Sequence, residues 1–236
     1  MRDNQGPPAS ADPRFRAAYD GRDPSSVAEM IPEGPLTVLD VGCARGGFAS
    51  WLAARGNVVD GVTWDAAEVQ AAAGSCRKVF QWDVNDGLPQ LTAGCYDLIA
   101  CSHVIEHIAY PQPLLRDAFR LLRAGGWLLV VVPNLFFWRD RWQLLRGNWR
   151  YEAHGTFDYT HLRWYTRETM TELLADHGFV PDRFVADGWV SLPGLRFLIG
   201  TTLRHKINRV LCQWRPGLFG EQLMFRVRKP ADAGKS

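Results

Sequence analysis

No run of apolar residues in this chain approaches the roughly 20 that a membrane-spanning helix needs, so no such helix is expected. The five cysteines (Cys43, Cys76, Cys95, Cys101, Cys212) are an odd number and contain no C-x-x-C pair. That usage reads as reduced thiols of a cytoplasmic protein. A strong charge of either sign is missing too: the net charge is +2, and no basic arm points to nucleic acid. Met1–Pro13 is polar and rich in Pro and Asp, without the apolar stretch of a secretory leader. Residues 1–14 are therefore expected to be a loose tail. Neither internal repeats nor low-complexity tracts occur. What is present is 236 residues, 47% of them hydrophobic, enough for one α/β core over residues 15–236.

The most informative stretch runs from Val38 to Phe48. Val38-Leu39-Asp40-Val41 reads as a buried strand ending in a carboxylate. Gly42-Cys43-Ala44-Arg45-Gly46-Gly47 is a turn of small residues, and a helix follows through Ala54 with Gly56 placed to stop it. A strand, a tight turn and a helix let a ligand lie against the backbone, near unpaired N–H groups at the helix start. Gly42, Ala44 and Gly47 also form G-x-A-x-x-G, close to a dinucleotide fingerprint. Asp40 favours a cationic or amine-bearing ligand over a pyrophosphate.

Strands and helices alternate along the chain. Strands are expected at Leu36–Val41, Val58–Val62, Lys78–Trp82, Tyr96–Cys101, Gly126–Val132 and Phe179–Val185. Leu223, Phe225 and Val227 alternate with polar or longer neighbours as a last strand does. Helices are expected near Gly46–Arg55, Ala66–Gly74 and Pro113–Arg123, and from a Thr166 cap to His177 with Gly178 after it. This order implies a doubly wound, mostly parallel sheet. Two stretches, 134–165 and 189–220, are too long for ordinary connections and follow strands. They are expected to wall a substrate site at the carboxyl end of the sheet.

The first loop, D-V-G-C-A-R-G, resembles the D-x-G-x-G-x-G loop of class I S-adenosylmethionine-dependent methyltransferases, with Ala44 in place of the middle Gly. The resemblance implies a Rossmann-like sheet of seven strands with an antiparallel last strand and helical insertions. It places the cofactor's amino-acid end at Asp40, Gly42, Cys43, Ala44 and Gly46. At the end of the second strand, Thr63 stands where family members carry a ribose-binding acid, with Asp65 as its substitute and Trp64 over the adenine. Gln81-Trp82-Asp83-Val84 resembles the adenine motif, with the Asp83 carboxylate and the Val84 N–H as contacts. Ser102 ends the fourth strand beside the cofactor.

Cys101-Ser102-His103-Val104-Ile105-Glu106-His107-Ile108 is similar to the "VIEH" segment of ubiquinone-biosynthesis O-methyltransferases. Pro133-Asn134 through Leu145 resembles the methionine-biosynthesis protein W family, whose role involves a partner enzyme. Thr160 to Glu168 is similar to a segment of small-RNA 3′-terminal 2′-O-methyltransferases and of glycan-cluster methyltransferases. The small-RNA enzymes bind magnesium at four positions that correspond here to His103, Glu106, His107 and His161. His103 replaces a Glu, and three His with one Glu would favour zinc, iron or another transition metal. The alternative is that these groups orient substrate and cap the turn. H-x-x-E-H is also an inverted zinc-protease motif, but the end of a parallel strand is the wrong context for it.

The stretch Trp138–Arg167 holds eight aromatic residues, six Arg and three acids. Such residues stack on rings or sugar faces and grip phosphate or carboxylate. Trp138, Trp142 and Leu145 are expected to form one packed helix face. Trp189–Gly220 has five Lys or Arg and no acid. Leu195, Leu198, Ile199, Leu203, Ile207 and Leu211 recur there at helical spacing. A packed surface helix is the simple expectation; a phosphate-bearing substrate, a partner or a peripheral membrane contact is the alternative. The sequence thus points to methyl transfer from S-adenosylmethionine to a hydroxyl of a small molecule or sugar, with His107, His161 and His103 as the catalytic candidates. An amine acceptor, or a methyltransferase-like protein that regulates a partner, remains the alternative. Nothing in the sequence fixes the oligomeric state.

Overall fold

The computed structural model describes residues 27–153, 155–188 and 201–231. Seven strands build one sheet: β1 Thr37–Val41, β2 Val58–Thr63, β3 Lys78–Gln81, β4 Tyr96–Ser102, β5 Leu122–Pro133, β6 Val180–Asp187 and β7 Gln222–Arg228. Their order is β3-β2-β1-β4-β5-β7-β6. The first five run parallel, and β7 lies antiparallel between β5 and β6. The expected sheet is present. The expected tail at 1–14 and the domain start at residue 15 lie outside the described residues.

Side-chain alternation makes the sheet two-sided. Leu39, Val41, Ile99, Cys101, Leu128, Val130 and Val132 pack on one face, and Val38, Leu98, Leu129, Val131 and Met224 on the other. Burial on both faces explains why these strands read as continuous apolar runs. Helices cover both layers: α1 Gly47–Ala53, α2 Ala66–Ala72, α3 Gln112–Leu121, α4 Trp138–Leu145, α5 Arg167–Asp176, α6 Thr201–Trp214 and α7 Pro216–Phe219. Asp65 starts α2 by accepting from the N–H groups of Ala67 and Glu68. Thr166 and Thr169 form a reciprocal capping box at α5.

Three expectations are corrected. The fifth strand begins at Leu122 rather than Gly126, because Leu122 already pairs with Tyr96 ahead of an irregularity in the ladder. The preceding helix accordingly stops at Leu121. In α4 the expected packed face is only partly packed: Trp138 is half-buried, but Trp142 is 53% and Leu145 79% exposed, while Asp140 is the buried residue. Asp140 turns inward to accept a hydrogen bond from the Thr156 side chain, and burial pushes its carboxyl above the usual range. In α6, Leu203 and Ile207 are exposed, whereas Asn208 and Cys212 are buried; Leu195, Leu198 and Ile199 lie outside the described residues. Among the described residues, no helix is long and apolar enough to cross a membrane.

Candidate active site

The carboxyl ends of β1, β2 and β4 meet at one loop. Gly42 and Cys43 both donate backbone N–H groups to the Val62 carbonyl, at 2.8 and 3.0 Å, which hangs the β1 loop on β2. Gly42 has φ +76°, and a Cβ there would stand 2.5 Å from Val104 Cγ2. A side chain at Gly42 would therefore be strained and would collide with the segment after β4. Ala44 adopts φ +45° without being glycine. Asp40, on the strand leading into this loop, is buried, and its Oδ2 has no hydrogen-bond partner among the described residues. Burial, with the Cys76 charge adding to it, pushes its carboxyl up to about 8. A buried acid without a partner is a place for a cation.

At the end of β2, Thr63 donates to the Glu68 carboxylate at 2.5 Å. Glu68 sits in the first turn of α2, so Thr63 carries an acid into the position where Asp65 was expected. Asp65 itself is engaged in capping. Glu68 was missed because it lies five residues downstream; a Thr followed by an acid in the next helix turn is the only signal for it. Trp64 is exposed and its ring is available to cover a planar group. Asp83 is exposed and accepts from the Asn85 backbone and side chain, which makes it the cap of a short 3-10 turn at Val84–Asp86. Ser102 ends β4 next to this loop.

A second cluster forms where the chain after β4 meets the end of the 134–165 insertion. Leu162 and Arg163 donate N–H groups to the Glu106 carbonyl, and Arg163 Nε donates to the Ala109 carbonyl at 2.6 Å. This docking sets His161 against His107, with ring centroids 4.7 Å apart in an edge-on arrangement. Nδ1 of His161 faces the Thr156 carbonyl at 3.1 Å. A carbonyl can only accept, so this nitrogen carries the proton and Nε2 keeps its lone pair. The Thr160 hydroxyl gives its proton to Asp158 at 2.6 Å and lies 2.9 Å from His107 Nδ1. It therefore accepts from that nitrogen, and Nε2 of His107 is likewise a base.

Glu106 is buried between these rings and His103. Its Oε1 takes a hydrogen bond from His103 Nδ1 at 3.0 Å, and its Oε2 has no partner among the described residues. One ligand atom from each of Glu106, His107 and His161 falls within 4.8 Å of the others. His103 stands apart from that trio. Its second nitrogen receives Gln222 Nε2 at 2.9 Å from the start of β7, so both ring nitrogens are occupied. Of the four metal candidates expected from the sequence, the structure brings Glu106, His107 and His161 together and leaves His103 out. His103 adopts φ +55°, a strained conformation for a residue with a side chain. The hydroxyl of Tyr165 is also buried without a partner among the described residues, and burial pushes it up to about 12. Trp149 packs edge-on against Tyr151, Phe157 and Trp164, and Trp164 Nε1 donates to the same Thr156 carbonyl that His161 faces.

Residues 14–182 match a family described as a methyltransferase domain. Among curated proteins, the ubiquinone biosynthesis O-methyltransferase of Pseudomonas fluorescens is 31% identical over 105 residues, covering 41% of this chain and 44% of that protein. The chain spans less than half the length of the curated relatives it matches. A methyltransferase structure from Archaeoglobus fulgidus, described as SAM dependent, aligns with TM-score 0.62 at 20% identity, over 91% of this chain and 94% of that one. An S-adenosylmethionine-dependent methyltransferase from Mesorhizobium loti aligns with TM-score 0.61 at 18% identity, over 89% and 99%. At such identities the structural likeness speaks for the fold.

Proposed function

Because this chain belongs to the methyltransferase-domain family, we propose that it moves a methyl group from S-adenosylmethionine to a hydroxyl oxygen of a small molecule or sugar. The observation that carries the choice of oxygen is the trio beyond β4. Glu106 Oε2 and the Nε2 atoms of His107 and His161 are all acceptors, and no donor of the trio answers them. An acceptor hydroxyl supplies the missing proton, and a weakly acidic hydroxyl needs a base that an unprotonated amine does not.

When bound, S-adenosylmethionine supplies an electrophilic methyl on a sulfonium. The fit of this chain to it rests on the orphaned Asp40 Oδ2, an anionic partner for the ligand's ammonium. Gly42, at φ +76° and packed directly against Val104, lets the loop make its tight turn after Asp40. The Thr63–Glu68 pair presents a carboxylate suited to a diol. Cys43, Ala44, Gly46, Trp64, Asp83, Val84 and Ser102 complete the proposed cofactor contacts. In-line displacement asks for alignment above all, and the docked 160–163 segment fixes both imidazoles relative to the cofactor loop. His161 is held below the usual histidine range, chiefly by burial and against the opposing pull of Glu106. It therefore stays unprotonated at neutral pH and ready to accept.

The clustering of Glu106, His107 and His161 favours a second reading, in which the trio holds a divalent ion. Two imidazoles and one carboxylate suit a transition metal better than magnesium. Such an ion would lower the pKa of the acceptor hydroxyl. Chelation that abolishes turnover, with rescue by one added metal, supports this version; turnover unaffected by chelation leaves the histidines as bases.

Release of S-adenosylhomocysteine from purified protein, assayed with panels of hydroxyl and amine acceptors, tests the reading. Turnover confined to hydroxyl compounds is expected. Turnover confined to amines would reassign the reaction, and none with any acceptor would favour the partner-protein alternative.

Cofactor affinity should depend on pH. The unliganded Asp40 carboxyl keeps its proton up to about 8, and the ammonium requires the carboxylate. Affinity measured by calorimetry should therefore rise by about tenfold per unit as pH increases from 6 toward 8, the slope of one released proton. Near 8 the ligand's own amine begins to lose its proton and the gain stops. A flat profile between pH 6 and 8 would remove Asp40 from this role.

A further inference from the structure

We propose that Cys43 and Cys76 form a reversible disulfide that weakens ligand binding at the β1 loop, a role resting on the reading of that loop as the S-adenosylmethionine site. The two thiols come from opposite sides of β2 and crowd one point. A Cβ on Gly61 would stand 2.6 Å from Cys43 Sγ and 3.1 Å from Cys76 Sγ, so the missing side chain is what lets the sulfurs share this space. Cys76 lies in the turn between α2 and β3 and is partly exposed, while Cys43 is buried in the loop.

The pair is chemically unequal. The Cys43 Sγ lies 3.8 Å from the Ala44 carbonyl; interaction with the neighbouring sulfur holds Cys76 below the ordinary thiol range, and that interaction together with burial holds Cys43 above it. A partly exposed sulfur of lowered pKa beside a second thiol has the makings of an attacking and a resolving cysteine. The other three thiols differ. Burial pushes Cys101 far up and Cys212 up to about 12, and Cys95 is raised as well.

The oxidant is a low-molecular-weight disulfide. The Cys76 thiolate attacks it, forming a mixed disulfide and expelling one thiolate. Cys43 then attacks the Cys76 sulfur and expels the second. The two protein thiol protons leave on the two departing thiols, so the small disulfide is reduced as the protein is oxidised. The new S–S bond is about 2.05 Å long, and the sulfurs must close on each other to make it. Arg77 resists movement on the Cys76 side, because its guanidinium forks onto the buried Asp60 carboxylate at 2.9 and 2.6 Å. The displacement therefore falls on Cys43 and on the loop through Gly46, where a Cβ would already meet Ser75 of the same turn at 3.0 Å.

The test incubates the protein with oxidised glutathione, maps disulfides in proteolytic fragments and measures S-adenosylmethionine binding by calorimetry before and after dithiothreitol. A Cys43–Cys76 cross-link, affinity reduced at least about tenfold, recovery on reduction and no response in Cys76→Ser would support the proposal; Cys95→Ser should respond like the wild type. Absence of the cross-link, or a cross-link that leaves affinity unchanged, would overturn it. If the reduced protein fails to bind S-adenosylmethionine, the proposed function falls along with the binding effect. The mapping then still decides whether the disulfide exists.

Discussion

Asp40→Asn should abolish tight S-adenosylmethionine binding while leaving the unliganded protein no less stable than the wild type. Truncating one partner of a buried charge pair costs about 2–5 kcal/mol, so affinity should fall by about 30-fold to several thousandfold. The stability half of the prediction follows from linkage. The Asp40 carboxyl is raised to about 8 in the folded chain from 3.8, because burial disfavours its charge. Between those values the unfolded chain has lost a proton that the folded chain keeps, so this group's contribution to stability declines as pH rises and levels off above 8. An amide has no such slope. The difference in melting temperature, variant minus wild type, should grow in the variant's favour from pH 5 to pH 8. A variant that still bound the cofactor tightly, or that melted lower at pH 8 than at pH 5 relative to wild type, would show that Asp40 serves the fold instead.

His107→Ala and His161→Ala should each lower turnover by roughly 10²- to 10⁴-fold if one histidine takes the proton and the other positions it. Cofactor affinity should be unchanged, because neither ring lies on the β1 loop. The double variant should lose little more than the worse single one, as groups acting as a unit are not additive. The acid limb of the rate profile should fall below 6.5, since burial holds His161 down and activity disappears only once that ring is protonated. Full activity in both single variants would end the assignment.

The strand-turn-helix around the β1 loop was legible in the sequence because it is local. Asp40, Gly42 and Gly46 follow one another within a single strand-turn-helix, and backbone geometry there depends on near neighbours. Parallel strands buried on both faces, such as β4 and β5, are equally plain as apolar runs. What escaped depends on distant residues. His103 looked like a ligand by its spacing to Glu106 and His107, but Gln222, 119 residues away, occupies its other nitrogen. Asp140 was not singled out by the sequence, yet it is the buried residue of α4 and pairs with Thr156. Glu68 reaches the end of β2 only through the hydroxyl of Thr63. In α6 the helical spacing of apolar residues does not tell which positions are buried, since Leu203 and Ile207 are exposed while Asn208 and Cys212 are buried.

The place of β7 gives assembly a direction. This strand enters between β5 and β6, and Gln222 at its first position steadies His103, which in turn holds Glu106. During synthesis the parallel strands β1–β5 leave the ribosome with the β1 loop already among them, whereas the wedge that completes the sheet emerges afterwards. A growing chain can thus shape its β1 loop early, but the Glu106 carboxylate and His103 beyond β4 gain their support only when β7 arrives. Reactive alignment is kept for the finished sheet.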